Sequence, residues 1–239
     1  MSSIECTNII KNLKITKQNI NKIPVQLFID THSYFNNTIC NILNMCYATG
    51  KFPNSMKIAC IIPIFKSGDQ ENPQNYRPIS LLPFFSKIIE RSIYNRIYNF
   101  ITKYSIITKK QFGFLKNIST ETAISHLTEY LYDALDSRDI TCNIFIDLRK
   151  AFDSVKHSIL LKKLELYGIR GLALDLMTNY LEDRLHFVRI GADFSDKKIS
   201  TIGVPQGSIL GPLLFLLFIN DLPNISNYFH PTLFADDYC

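Results

Sequence analysis

Residues 143–153 read Asn-Ile-Phe-Ile-Asp-Leu-Arg-Lys-Ala-Phe-Asp, NIFIDLRKAFD. Asn143 to Ile146 have strand character and run straight into Asp147, and a helix is expected from Asp153 or Ser154 with Ile159, Leu160 and Leu164 on its apolar face. Asp147 therefore stands where a buried strand ends, and a carboxylate there can point from a sheet edge into a cleft. Alone, such a residue is more often a turn former or helix cap than a metal ligand. A second acidic site, Phe234-Ala235-Asp236-Asp237, again follows a short apolar run. Two strand-borne acidic sites can meet, and two-metal phosphoryl transfer needs such a meeting because both attacking and leaving oxygens must be clamped. Hard cations such as Mg²⁺ take oxygen ligands and few protein carboxylates, so Asp147, Asp236 and Asp237 suffice.

Five motifs in order carry a resemblance: NYRPISLL (Asn75–Leu82), QFGF (Gln111–Phe114), FIDLRKAFD (Phe145–Asp153), GVPQGSILGPLLF (Gly203–Phe215) and FADD (Phe234–Asp237). Together the set is far more specific than any one motif. Over residues 25 to 239 the chain resembles the reverse transcriptase of non-LTR, LINE-type retrotransposons, of the jockey-like group. The resemblance implies a mixed α/β (α+β) fold: a right-hand polymerase with fingers and a partial palm, the thumb absent. It divides the chain into an N-terminal lead-in and helical extension (1–57), fingers (58–140) and palm (141–239), with residues 58–239 as the reverse transcriptase domain. It implies an RNA-directed DNA polymerase in which a primer 3′-OH attacks the α-phosphate of a dNTP, served by two Mg²⁺ ions. Asp147, Asp236 and Asp237 are then catalytic, and Leu148 joins them in the metal set. The partners implied are an RNA template, a DNA primer and dNTPs.

The same resemblance places Arg77 and, less centrally, Lys66 in the fingers as triphosphate contacts. Pro78 holds Arg77 extended, and a guanidinium fork suits a phosphate; a surface Arg in a strand is the other reading. Members of the family often carry Arg where Leu115 stands, so Lys116 is left to supply charge there. Phe152, five residues after Asp147, occupies the position where reverse transcriptases set an aromatic ring against a 2′-OH. Gln206 contacts nucleotide or template, and Gly207 permits close backbone approach. Without the neighbouring motifs, the Pro-Gln-Gly turn capped by Ser208 is simply helix initiation.

Two alternatives stand beside this reading. An RNA-directed RNA polymerase fits the Asp147 to Asp153 spacing, but Phe152 opposes it, leaving Asp153 to cap the next helix. A non-catalytic nucleic-acid-binding remnant of a mobile element is suggested by the stop at Cys239. On that view the chain lacks a thumb, an endonuclease domain and a return strand for the FADD hairpin, and is inactive.

Bulk composition is that of an ordinary globular protein: 239 residues, 46% hydrophobic and 20% charged. The net charge of +5 has the right sign for a nucleic-acid partner without demanding one. Six cysteines form no CxxC pair, which speaks against zinc or a disulfide framework and for a reducing intracellular location, nucleus or cytoplasm, not secretion. The N-terminus lacks a signal-peptide pattern, and the longest apolar run, Ile209–Ile219, is too short to span a membrane and reads as a buried helix.

Residues 1 to 23 read as a polar, Lys/Asn-rich, solvated lead-in. Helices are expected over about Pro24–Thr49, Phe85–Lys103, from Ser119 or Thr120 to about Asp136 with Ile124, Leu127, Leu131 and Leu135 on one face, to Tyr167, and over Gly171–Leu181. Strands are expected over Ile58–Phe65, with Pro63 marking an edge or bulge, and in a hairpin of His186–Ile190 with Ile199–Gly203. Gly113 allows a tight bend. Lys87, Arg91, Arg96 and Lys103 form either a solvated face or a template-phosphate contact.

Overall fold

The computed structural model describes residues 1–13, 24–225 and 229–239. The lysines expected at 14, 17 and 22 lie outside the described residues. The first correction comes at the N-terminus, where α1 (Ser3–Lys11) replaces a solvated lead-in. Ser2 caps it by accepting from Glu5 N, and Cys6, Ile9, Ile10 and Leu13 are buried at helical spacing. The Lys and Asn content hid this narrow stripe.

Next, α2 (Val25–Thr49) ends at Gly50, whose φ of +64° suits a helix stop without Cβ strain. Then β1 (Ile58–Phe65) and β2 (Tyr76–Leu81) form an antiparallel hairpin, followed by α3 (Phe84–Lys103) and α4 (Thr120–Asp136). A reciprocal Ser119–Thr122 capping box starts α4. Its expected apolar face is only partly used: Leu127 and Leu131 are half-buried, Ile124 and Leu135 are 61% and 64% exposed, and the buried residues are instead Ala123 and Ala134.

The central strand is shorter than expected. Only Ile146–Asp147 pair, as β3, and Asn143–Phe145 stay unpaired and exposed because β3 finds a neighbour on one side only among the described residues. The helix expected from Asp153 or Ser154 starts later: Phe152–Ser154 make a single 3₁₀ turn, Val155 is extended and fully buried, and α5 covers His157–Leu166. The break exists because Val155 O accepts from Gly203 N, a bond a continuous helix would forbid.

Beyond Gly168 come α6 (Leu172–Leu181), β4 (Arg184–Ile190), β5 (Asp193–Phe194), β6 (Lys198–Ser200), α7 (Gly211–Ile219), β7 (Leu233–Phe234) and β8 (Asp237–Tyr238). The larger sheet has the order β2-β1-β4-β5, with β6 also on β4, and β1 runs parallel to β4 through Ile58–Ile61 against Leu185–Val188. This sheet joins residues on both sides of the expected boundary at 140/141. Pro63 lies beyond the β4-paired part of β1, where no second neighbour needs its missing N–H.

The core centres on α7, whose sequence GPLLFLLFI is buried nearly all round. It packs against α5, which also packs on α6, while α2 lies on α6 and α1 on α2 and α3. Within this core Glu90 of α3 is fully buried and accepts from Ser86 Oγ, Tyr180 OH and Ile209 N at 3.2, 3.2 and 2.7 Å. Burial pushes its carboxyl above the ordinary range, although the Arg184 charge and these donors pull the other way. No helix among the described residues is long and apolar enough to cross a membrane. All six cysteines are free thiols.

Candidate active site

The second sheet, β3-β8-β7, builds the acidic centre. FADD is a hairpin, not the unpaired strand expected: β7 and β8 pair through Phe234–Asp237 and Leu233–Tyr238, and Thr232 and Cys239 exchange two backbone bonds of 2.7 and 2.9 Å. The expectation of a missing return strand is corrected by β8 itself. Ala235 turns the chain at φ +58°, and Asp236 sits beside it in the turn.

Asp147 pairs in register with Asp237, and Leu148 N donates to Asp236 O at 3.3 Å. The fold therefore gathers Asp147, Leu148, Asp236 and Asp237 at one end of one small sheet. Their donors are all oxygen, three carboxylates and the Leu148 carbonyl, which suits a hard divalent cation. Among the described residues no group of three or more His, Cys, Asp and Glu side chains forms a metal cage.

The other edge of the hairpin is held by the QFGF segment. Phe112 N donates to Leu233 O and Leu233 N to Lys110 O, both at 2.8 Å. The buried Gln111 Oε1 accepts from Gly113 N at 2.7 Å and from Ala235 N at 3.0 Å, satisfying two backbone donors at once. Gly113 opens the turn at Gly113–Phe114, as expected, but without a positive φ. A Cβ there would lie 2.8 Å from Ala235 Cα and 2.9 Å from Ala235 Cβ, so only glycine lets the two backbones meet. Upstream, Asn220 secures the segment by accepting from Thr108 N and donating to Ile106 O.

Phe152 is half-buried, with its ring stacked on Phe215 of α7 at 4.7 Å between centroids. Its carbonyl accepts from Val204 N at 2.9 Å, which ties the 3₁₀ turn to the Gly203–Ser208 loop. Asp153, expected to cap a helix, instead accepts from Gln206 Nε2 at 2.9 Å. Gln206 O accepts from Ser80 N of β2 at 2.7 Å, and Gly207, at φ +107°, lies so close that a Cβ would meet Ser80 O at 2.8 Å. The close approach Gly207 permits is thus to its own chain. Ser208 Oγ accepts from Gly211 N and starts α7, so helix initiation is also performed here.

Arg77 is exposed on β2, opposite Ile64, and Lys66 is exposed where β1 ends, its N–H donating to Asn75 O. β2, which carries Arg77, reaches the Gly203–Ser208 loop through Ser80 N and Gln206 O, and that loop reaches Asp153 through Gln206 Nε2. Gln111 and Phe114 lie in a motif that assigns them no role by itself, and Ser80 and Glu90 do not stand out in the sequence. An uncharged but polar Gln inside an aromatic motif was the available signal for Gln111; Glu90, on a helix rich in charge, offered none.

With this geometry in place, comparison with known proteins gives a consistent result. Residues 64–239 match the family described as reverse transcriptase (RNA-dependent DNA polymerase), and the chain belongs to that family. It is 40% identical over 179 residues to "Probable RNA-directed DNA polymerase from transposon BS" of Drosophila melanogaster, covering 72% of this chain and 19% of that protein. It is 36% identical over 183 residues to the RNA-directed DNA polymerase from mobile element jockey of the same species, covering 76% and 20%. The chain thus spans about a fifth of the length of the curated relatives it matches. Apo telomerase from Candida tropicalis, truncated from its C-terminal domain, shares the fold at a TM-score of 0.54 and 14% identity, over 97% of this chain and 53% of that one.

Proposed function

We infer that this chain carries the nucleotidyl-transfer centre of an RNA-directed DNA polymerase of a non-LTR retrotransposon, acting on an RNA template, a DNA primer and dNTPs. The observation that carries the reading is the in-register pairing of Asp147 with Asp237, with Asp236 in the adjoining turn. These carboxylates, with the Leu148 carbonyl, are the groups that would hold two Mg²⁺ ions. When bound, such ions supply Lewis-acid stabilisation of the attacking and leaving oxygens.

The chain's own residues do the rest. Phe152, braced on Phe215, fills the volume a 2′-OH would need, which selects dNTPs over rNTPs. Arg77 and Lys66, exposed on the β1–β2 hairpin, are charged groups for the triphosphate. Gln206 and Gly207 set the loop between Asp153 and Ser80 against which a template base can lie. The partition into an extension (1–57), fingers (58–140) and palm (141–239) goes with this reading. The expectation of inactivity loses one ground, since the FADD hairpin has its return strand.

The test is single-nucleotide extension of a DNA primer on an RNA template by the purified chain with Mg²⁺, the Asp147→Asn, Asp236→Asn double variant serving as blank. Incorporation above the blank is the expected result. Retained RNA binding with extension no higher than the blank would leave a nucleic-acid-binding protein and refute the catalytic reading.

A further inference from the structure

Among the described residues Phe114 is the aromatic residue with a left-handed backbone. It follows three residues fixed against the FADD hairpin, yet its backbone lies at φ +56°, a region bulky residues avoid, and its side chain is 48% exposed. Such a conformation persists only where its surroundings impose it. What it achieves is a contact: the Phe114 ring meets Phe152 at 5.9 Å with planes at 81°, an edge-to-face pair.

Phe152 accordingly has two walls of different character. Phe215, 1% exposed and part of α7, is an immovable inner wall stacked at 23°. Phe114 is the outer wall, on the solvent side. Without it the Phe152 ring is free to swing away from Phe215, because a half-buried side chain with one open flank has rotamers to explore. Phe114 itself is carried by the loop whose other end, Gln111, binds Ala235 N beside Asp236.

We propose that Phe114 is a positioning residue for sugar discrimination, holding Phe152 against Phe215, so that the Gln111–Phe114 loop fixes at once the acidic turn and the ring that screens the 2′ position. This deepens the proposed function and rests on it for the nature of the substrate. Loss of one edge-to-face contact raises the population of displaced Phe152 by about two- to twelvefold, the size typical of such pairs.

Two readouts on the full chain test it. The chain contains no tryptophan, so Phe152→Trp introduces a single indole at the ring in question, whose emission can be excited apart from that of the twelve tyrosines. Adding Phe114→Leu to that variant is expected to raise acrylamide quenching, and Phe114→Tyr is expected to leave it low. In single-nucleotide extension, Phe114→Leu in the otherwise native chain is expected to lower the ratio of dNTP to rNTP incorporation about two- to twelvefold, with Phe114→Tyr restoring it. Phe194→Leu, at an exposed ring on β5, is expected to change nothing. Quenching unchanged by Phe114→Leu, or an equal fall in the ratio with Phe194→Leu, overturns the proposal. If no version of the chain extends a primer, the catalytic reading fails while the quenching result still decides whether Phe114 holds the ring.

Discussion

Gly113→Ala puts the largest demand on the smallest change. The added methyl would stand 2.8 and 2.9 Å from Ala235 Cα and Cβ, and closer still to its amide nitrogen. Ordinary contact needs about 3.4 Å or more, so the two backbones must part by at least about half an ångström, and neither is a flexible side-chain end that can yield cheaply. Three hydrogen bonds resist the move: Phe112 N to Leu233 O, Leu233 N to Lys110 O, and Ala235 N to Gln111 Oε1. Overpacking of this kind costs about 1–3 kcal/mol, and losing the three bonds as well, at about 1 kcal/mol each, would take the total to about 4–6 kcal/mol. For a chain of this size a 1–3 kcal/mol loss lowers the Tm by about 2–12 °C. Urea unfolding followed by circular dichroism measures the loss, and amide hydrogen exchange at Leu233 and Ala235 locates it. A catalytic consequence follows, because displacing a positioned group by about 1 Å can cost about a hundredfold in rate. A variant within about 0.5 kcal/mol of the parent, with both amides still protected, would refute the view that the QFGF segment holds the hairpin by direct backbone contact.

Gly207→Ala meets Ser80 O at 2.8 Å from a backbone at φ +107°, and is expected to cost about 1–3 kcal/mol in thermal unfolding; a neutral result would mean that the loop does not abut β2. Glu90 is held above its ordinary value of 4.5 chiefly by burial, so its contribution is complete below that pH and is lost as pH rises through the folded value. Urea midpoints from pH 4 to 8 should therefore fall for the parent relative to Glu90→Gln, and parallel profiles would contradict the assignment. Phe152→Val should admit rNTPs in primer extension by opening space beside the 2′ carbon, whereas an unchanged dNTP to rNTP ratio would make the ring a core residue only.

Long periodic segments were legible in the sequence because their burial is local in origin. The bounds of β1 match, and those of α2 and α3 match to within a residue or so. The acidic residues were also readable, since their motif order needs no coordinates. Strand character ahead of Asp147 and of Asp236 was readable too, but the shortness of β3 and β7 and the existence of β8 between them were not, because so short a strand has no periodicity and exists only through the edges it finds. The same applies to Asp153, whose partner Gln206 is remote in sequence, and to Glu90, buried by Tyr180 and the backbone of Ile209. In α1 the apolar stripe was present but outweighed by its polar neighbours.

The parallel pairing of β1 with β4 sets a waiting time during synthesis. Ile58 leaves the ribosome well before its partner Leu185, and no parallel neighbour can be supplied in between. At about 5–20 residues per second, the interval is roughly 6 to 25 s, long against the microseconds in which the β1–β2 hairpin closes. For that time the segment Ile58–Ile61 presents an unpaired apolar edge, and Pro63 interrupts the donors of the strand just beyond it. A nascent chain of this protein is therefore most exposed to strand-to-strand association, or to capture by a chaperone, between the emergence of β2 and that of β4.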